Sequence, residues 1–174
     1  MSKKEFKRNI LPKLQRKIVL KLAEKGALNV RETNKELRGE YTSTNRAFHE
    51  LERKGIIKKV GVKEWRGRFF PTYWLTEEGR LIALLCGADI KKVKETALKF
   101  CKPEDKEDLM VTYEIIESVG PETASVILRA LKGKTELAYL PLDENEAKKI
   151  FSILRKYPKW WAHVEKILRG VENE

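Results

Sequence analysis

At Gly55 the apolar period of this chain changes from about 3.6 residues to 2, and that switch limits what its first half can fold into. Before the switch, Tyr41–Gly55 (YTSTNRAFHELERKG) separates into two faces when plotted as a helix. Thr44, Ala47, Phe48 and Leu51 form a stripe with the spacing of a helix packed on a core. Thr42, Arg46, His49 and Arg53 lie opposite, with Asn45 beside them and the carboxylates Glu50 and Glu52 at the margins. After the switch, Ile56, Lys58, Val60 and Val62 alternate with further lysine, and Trp65-Arg66-Gly67-Arg68 places a glycine where a hairpin turn needs one. Phe69–Leu75 reads as the return strand, and Pro71 within it predicts a bulge or an unpaired N–H at that position.

Helices flank this core pattern. Leu14, Ile18 and Leu22 predict an amphipathic helix over Leu11–Lys25, ended by Gly26, with a basic segment (Lys3, Lys4, Lys7, Arg8) ahead of it. Ala27–Asn29 is short enough for a one-rung strand, and Val30–Arg38 predicts a second helix stopped at Gly39. Ser43 is the expected N-cap of the third helix. Thr76, followed by Glu77 and Glu78, predicts the N-terminus of another helix running through Cys86.

The run STNRAFHELERKGIIKKV, the hairpin, and then YWLTEEGRLIA resemble the winged helix-turn-helix family of prokaryotic (archaeal-like) transcription regulators, over about residues 11–86. Ser43, Arg46, Phe48, Leu51, Lys54, Gly55 and Ile57 match that family's recognition-helix pattern; Tyr73, Leu75, Thr76 and Gly79 match its strand-to-helix exit. Asn45, Pro71 and the long aromatic hairpin depart from it. The resemblance implies that the third helix enters the major groove of DNA while the hairpin, the wing, touches backbone or minor groove. It implies roles for Arg46 and His49 on the helix and for Lys63, Arg66 and Arg68 on the wing.

Charge leads to the same partner by another route. Formal net charge is +11, with a pI near 9.6. Residues 1–88 hold 21 Lys/Arg against 10 Asp/Glu, whereas residues 89–174 hold 16 of each. All the excess positive charge therefore sits in the first half, which points to a polyanion there and to a different role for the second half. Arginine pairs bidentately with guanine O6/N7 and asparagine with adenine N6/N7. Lysine and arginine around a turn can track phosphates or enter a narrow minor groove. The candidate DNA-binding residues are Thr42, Ser43, Asn45, Arg46, His49 and Arg53 on the helix, with Lys63, Arg66 and Arg68 on the wing. The plain alternative is a solvated helix face. Trp65 is either a contact residue at the wing tip or, preferably, packed across the hairpin on Phe69 or Phe70, and Lys58 and Lys59 can serve simply to keep a strand edge soluble.

Gly87-Ala88-Asp89 marks a boundary, with Asp89 a candidate N-cap. Beyond it the sequence is helical: Ile90–Cys101, a helix opened by Pro103 and running to Val119, Glu122–Leu131, a helix behind the capping box Asp143–Glu146, and Trp160–Arg169 with Trp161, Val164 and Leu168 inward. Residues 131–142 are a connection without a clear pattern. The fold class expected is mostly α: a winged-helix α+β DNA-binding domain at 1–88, then an all-α helical domain at 89–174. Trp160, Trp161 and His163 suggest a core lid, a dimer contact or a small-molecule effector site, with homodimerisation through residues 89–174 preferred.

No HExxH, Walker loop, GxSxG or zinc-spaced cysteine pair is present, so neither an enzyme nor a metal or other cofactor is expected. Cys86 and Cys101 read as reduced and buried. The longest apolar run, Leu81–Cys86, is too short for a membrane span and the basic N-terminus lacks a signal-peptide core, so a cytoplasmic protein is expected. A composition that is 36% charged with a single Gln leans toward a thermophile. The function expected is a transcriptional regulator that binds double-stranded DNA, with no membrane partner. The alternatives are a winged-helix interaction module in a replication, repair or RNA-processing assembly, and a nonspecific architectural binder of nucleic acid.

Overall fold

Helix α1 (Lys13–Lys25) starts behind Pro12 and stops at Gly26. Its buried face, Gln15, Ile18, Val19, Leu22 and Ala23, lies at the centre of the first unit. Around it pack α2 (Val30–Leu37), α3 (Tyr41–Arg53), β2 (Arg68–Leu75) and α4 (Glu77–Leu85), while β1 (Ile57–Trp65) pairs with β2 in an antiparallel hairpin. The structure, a computed structural model, describes residues 10–132 and 142–171, and the side chains of residues 167, 168, 170 and 171 are outside the description. The basic segment at Lys3–Arg8, most of the 131–142 connection and the Leu168 side chain fall outside it. No helix among the described residues is long and apolar enough to cross a membrane.

The apolar residues that the 3.6-residue and 2-residue patterns select form the core. Phe48 and Leu51 of α3, Ile56, Ile57, and Tyr73, Trp74 and Leu75 of β2 are all buried. Phe48 meets Tyr73 edge to face at 5.3 Å, and the Trp74 indole donates to the Leu22 carbonyl at 3.3 Å. Leu28 makes a single two-bond rung with Tyr73, the short strand anticipated at Ala27–Asn29. This order of helix, rung, helix, helix, hairpin and helix is the winged-helix arrangement.

Two local expectations are corrected, and the alternatives left open at Pro71 are narrowed to one. The left-handed residue ending α2 is Arg38 (φ 51°), not Gly39. Helix α3 begins at Tyr41 behind Glu40, and its first helical bond, Thr44 N–H to Glu40 O, has already closed one residue after Ser43. Ser43 is thus inside the helix rather than its cap; its hydroxyl donates to the Glu40 carboxylate at 3.1 Å. The bulge in the hairpin lies at Val60, between Lys59 and Gly61, and Pro71 sits in register opposite Val62. Pro71 costs no ladder bond because it shares its strand edge with Tyr73, whose N–H points away from β1 to Leu28.

The chain divides into two compact units, Met1–Thr96 and Ala97–Glu174, and the division falls within α5 (Ile90–Phe100) rather than at the glycine before it. Asp89 caps α5, accepting from Lys92 N–H at 3.0 Å. Cys86 and Cys101 are not joined in a disulfide and are half-buried, not fully enclosed as expected. In the second unit, Pro103–Asp105 is a short 3-10 turn that leads into α6 (Lys106–Val119), and α6 packs against α7 (Pro121–Leu131) and α8 (Glu144–Arg155). Asp143 and Glu146 form the capping box of α8 reciprocally. Helix α9 (Pro158–Val171) packs on α8, and three polar links reach α6: Trp160 Nε1 to Asp108 at 2.8 Å, Tyr157 OH to Glu114 at 2.5 Å, and Lys159 to Asp108 at 3.5 Å.

Gly79 in the first turn of α4 lies against the Ile56 carbonyl, where a Cβ would overlap the oxygen. Gly79→Ala should therefore lower the unfolding free energy by about 3 kcal/mol in urea denaturation, as overpacking against an unyielding backbone does; a loss under about 1 kcal/mol would show that the approach is loose. In the second unit, the hydrogen bond to Glu114, aided by burial, pushes the Tyr157 phenol up to about 12 from 10.0. The fold favours the protonated phenol, so this contribution is complete below pH 10 and vanishes as pH rises through about 12. The difference in melting temperature between the wild type and Tyr157→Phe should stay constant up to pH 10 and shrink above it; a difference that ignores pH contradicts the bond.

Candidate nucleic-acid interface

The inner face of α3 is fixed before its outer face can be useful. Thr44, wholly buried, donates to the Asn34 side chain at 2.8 Å and to Glu40 O at 3.0 Å, tying α3 to α2 at its start. At the other end Ile56 N–H bonds to Leu51 O (3.0 Å) and Gly55 N–H to Glu52 O (2.9 Å), with Gly55 at φ 71°: a Schellman closure, which needs a residue able to turn left-handed. With both ends held and Ala47, Phe48 and Leu51 in the core, the outward face can present only one set of side chains.

That set lines an open groove: Thr42, Asn45, Arg46, His49, Glu50 and Arg53. Asn45 is half-buried, and Thr42, Arg46, His49 and Arg53 are exposed. Ser43, also exposed, lies outside this lining. The acids at the margins are occupied by other partners. Glu50 accepts from the buried Gln15 side chain at 2.5 Å, and Gln15 in turn accepts from Lys54 at 2.9 Å. Glu52 pairs with Lys59 at 3.7 Å. Among the described residues neither Arg46 nor Arg53 has a carboxylate within ion-pair distance.

The wing carries the rest of the predicted set. Trp65 pairs with Arg68 across a two-residue turn whose central residues, Arg66 (φ 49°) and Gly67 (φ 70°), both have positive φ, the type I′ geometry. For Arg66 that conformation costs roughly 1–2 kcal/mol, which Asn or Gly would not incur. Lys63, Arg66 and Arg68 are all exposed, but Lys63 is paired with Glu32 of α2. Glu32 also closes a capping box with Asn29. Burial works against the charge of Glu32, yet the bonds from Lys63 and from the Asn29 N–H outweigh it and hold the carboxyl below its usual range. Lys63 is therefore met by a carboxylate within the fold, whereas Arg66 and Arg68 meet none among the described residues.

The Trp65 ring, 38% exposed, does not pack on Phe69 or Phe70 as anticipated. It carries the Arg31 guanidinium at 3.6 Å and that of Arg66 at 4.5 Å. Arg31, Glu32 and Gln15 support the candidate interface and were missed by sequence reasoning. The capping pattern Asn29-x-x-Glu32 was visible in the sequence, but nothing local marks Arg31. Two apolar side chains on the wing also stand clear of the core, Val62 at 66% and Phe69 at 72% exposed, so the apolar positions of the first unit are not all used by its interior.

No family model matches the sequence, and no curated protein matches it. Among solved structures, the crystal structure of Bacillus subtilis PadR in complex with operator DNA is similar over 94% of this chain and 99% of that one, at 12% identity and a TM-score of 0.38. At that distance no residue and no ligand carries over from one chain to the other.

Proposed function

We propose that this protein is a cytoplasmic transcriptional regulator that binds duplex DNA, reading base edges with α3 in the major groove and gripping backbone or minor groove with the wing. One observation carries the reading. The outward face of α3 gathers Thr42, Asn45, Arg46, His49 and Arg53 in one groove whose acids are occupied by other partners. A helix of this width fits the major groove, and Arg46 and Asn45 are the side-chain types that discriminate guanine and adenine there. Arg66 and Arg68 supply charge at the wing, while Lys63 mainly fastens the wing to α2. The charge division supports the same assignment: residues 1–96 hold 24 Lys/Arg against 12 Asp/Glu, and residues 97–174 hold 13 against 14.

The second unit serves to pair two copies. One winged helix reads only a few base pairs, so a specific site calls for two, spaced about 34 Å along the duplex. Trp160 and Tyr157 are engaged in hydrogen bonds inside the unit, but Phe100, Val126 and Phe151 remain exposed at 47%, 37% and 38%. Burying them against a second copy by a two-fold axis is the economical arrangement. An effector site around Trp160, Trp161 and His163 is less well supported, because Trp160 bonds to Asp108, Trp161 to Glu165, and His163 Nε2 lies 2.5 Å from Leu131 O.

Duplex selection followed by binding titrations tests the first claim. Arg46→Ala and Asn45→Ala should each cost about 1–3 kcal/mol on the preferred site and less on random DNA. Arg66→Ala and Arg68→Ala should weaken all duplexes alike and lower the salt slope by about one unit each, with Lys63→Ala lowering it less. Uniform losses from the α3 variants would leave a nonspecific binder. Light scattering on the full chain should give twice the chain mass, and Phe151→Asp should reduce it to one; a wild-type monomer at micromolar concentration would remove the pairing claim.

A further inference from the structure

The cluster of Arg31, Trp65 and Arg66 does not follow from reading α3 and the wing separately. Arg31 lies two residues after the N-cap of α2, and Arg66 lies in the wing turn. Both guanidiniums rest on the same indole, at 3.6 and 4.5 Å from its centre, so their carbons lie within about 8 Å of each other. All three side chains are exposed, and neither arginine has a carboxylate partner among the described residues. Two like charges held inside one Debye length repel, and the ring that fixes them cannot neutralise them. The position of Arg66 adds a second observation: a type I′ turn favours Asn or Gly there, yet an arginine occupies it with φ 49°. The neighbouring bridge from Lys63 to Glu32 fastens the wing to α2 without using either arginine.

We propose that Arg31 and Arg66, bracketed on Trp65, form a two-pronged phosphate fork that grips the DNA backbone jointly from α2 and the wing. This rests on the duplex-binding reading above and adds Arg31 and Trp65 to the interface. A DNA strand presents a phosphate charge every 3.4 Å of its axis, so two cations set a few ångströms apart can each meet one. The indole fixes both long side chains in advance and so reduces the ordering that binding would otherwise require. Glu32 and Lys63 hold the bracket to the body of the unit.

The test uses the full chain and a duplex of random sequence, with affinity measured across a salt series. Arg31→Ala should lower the slope of log affinity against log salt by about 0.9 per bound chain, as one lost phosphate contact does, and Arg31→Lys should restore it. Trp65→Leu keeps both charges and should leave the slope unchanged while weakening binding about 2–5-fold, the worth of an exposed cation–π contact. Arg66→Asn should fold with equal or greater thermal stability and still lose a slope unit, which a merely structural arginine would not do. An Arg31→Ala protein that binds with the wild-type slope overturns the fork, even if its affinity falls, because Arg31 would then only prop the wing. Trp65→Leu with wild-type affinity overturns the bracket. A wild-type chain that binds no duplex at all removes the underlying reading as well.

Discussion

The peptide of Ile56 is where the first unit is joined. Its N–H closes α3 by bonding to Leu51 O, and its carbonyl accepts from both the N–H and the hydroxyl of Thr76 at 3.0 and 3.1 Å. Thr76 in turn caps α4 through Gly79 N–H, and Gly79 lies directly against the same carbonyl. One residue thus ends α3, begins the wing and seats the helix that follows it. The side chain of Ile56 is buried, so the node is also dry, and bonds in such a place are costly to leave unmade. The wing cannot tilt freely against α3 while this node holds.

From that rigidity follows the electrostatic arrangement. The first unit contains twelve acids, and three near the candidate interface are engaged: Glu50 by Gln15, Glu52 by Lys59, Glu32 by Lys63 and the α2 cap. Lys59 and Lys63 offset the charges of Glu52 and Glu32, whereas the neutral Gln15 amide only orients Glu50 at the groove edge. Surface ion pairs of this kind add little to stability, and their effect here is to set the local potential. The same pairs connect elements: Gln15 joins α1 to α3, and Glu32 joins α2 to the wing. Positioning and charge placement are carried by one set of bonds.

What the sequence made legible was local. The period change at Gly55, the caps at Thr76, Asp89 and Asp143, and the one-rung strand at Leu28 each depend on residues within a few positions, and each is found where the pattern placed it. The misreadings have a common physical origin. Ser43 is a good cap type, but the turn before α3 is set by Arg38 in the left-handed region, and nothing in the sequence favours an arginine there over the adjacent Gly39. Pro71 suggested a bulge because proline breaks ladders, yet the edge on which its missing N–H falls depends on the rung made by Leu28 far earlier in the chain. The roles of Gln15, Arg31 and Glu32 come from contacts 31 to 39 residues apart in sequence for the hydrogen-bonded pairs, which no periodicity encodes.

The two units also differ in how their polar groups are used, and this bears on the division of labour between them. In the second unit four side chains link helices across the surface: Tyr157 and Lys156 to Glu114, Trp160 and Lys159 to Asp108, each contact tying α9 or the end of α8 to α6. Among the many charged groups that remain outward there, Phe100, Val126 and Phe151 are exposed as well. In the first unit the aliphatic core is closed and the outward groups on α3 and the wing turn are cationic or amide-bearing. Guanidiniums without a carboxylate partner among the described residues suit a polyanion, whereas exposed apolar groups, which both units carry, suit a second protein chain. The charge surplus of the first unit, 24 Lys/Arg against 12 Asp/Glu, is the physical ground for the proposal that it meets a polyanion, and the near balance of the second, 13 against 14, gives no such ground there.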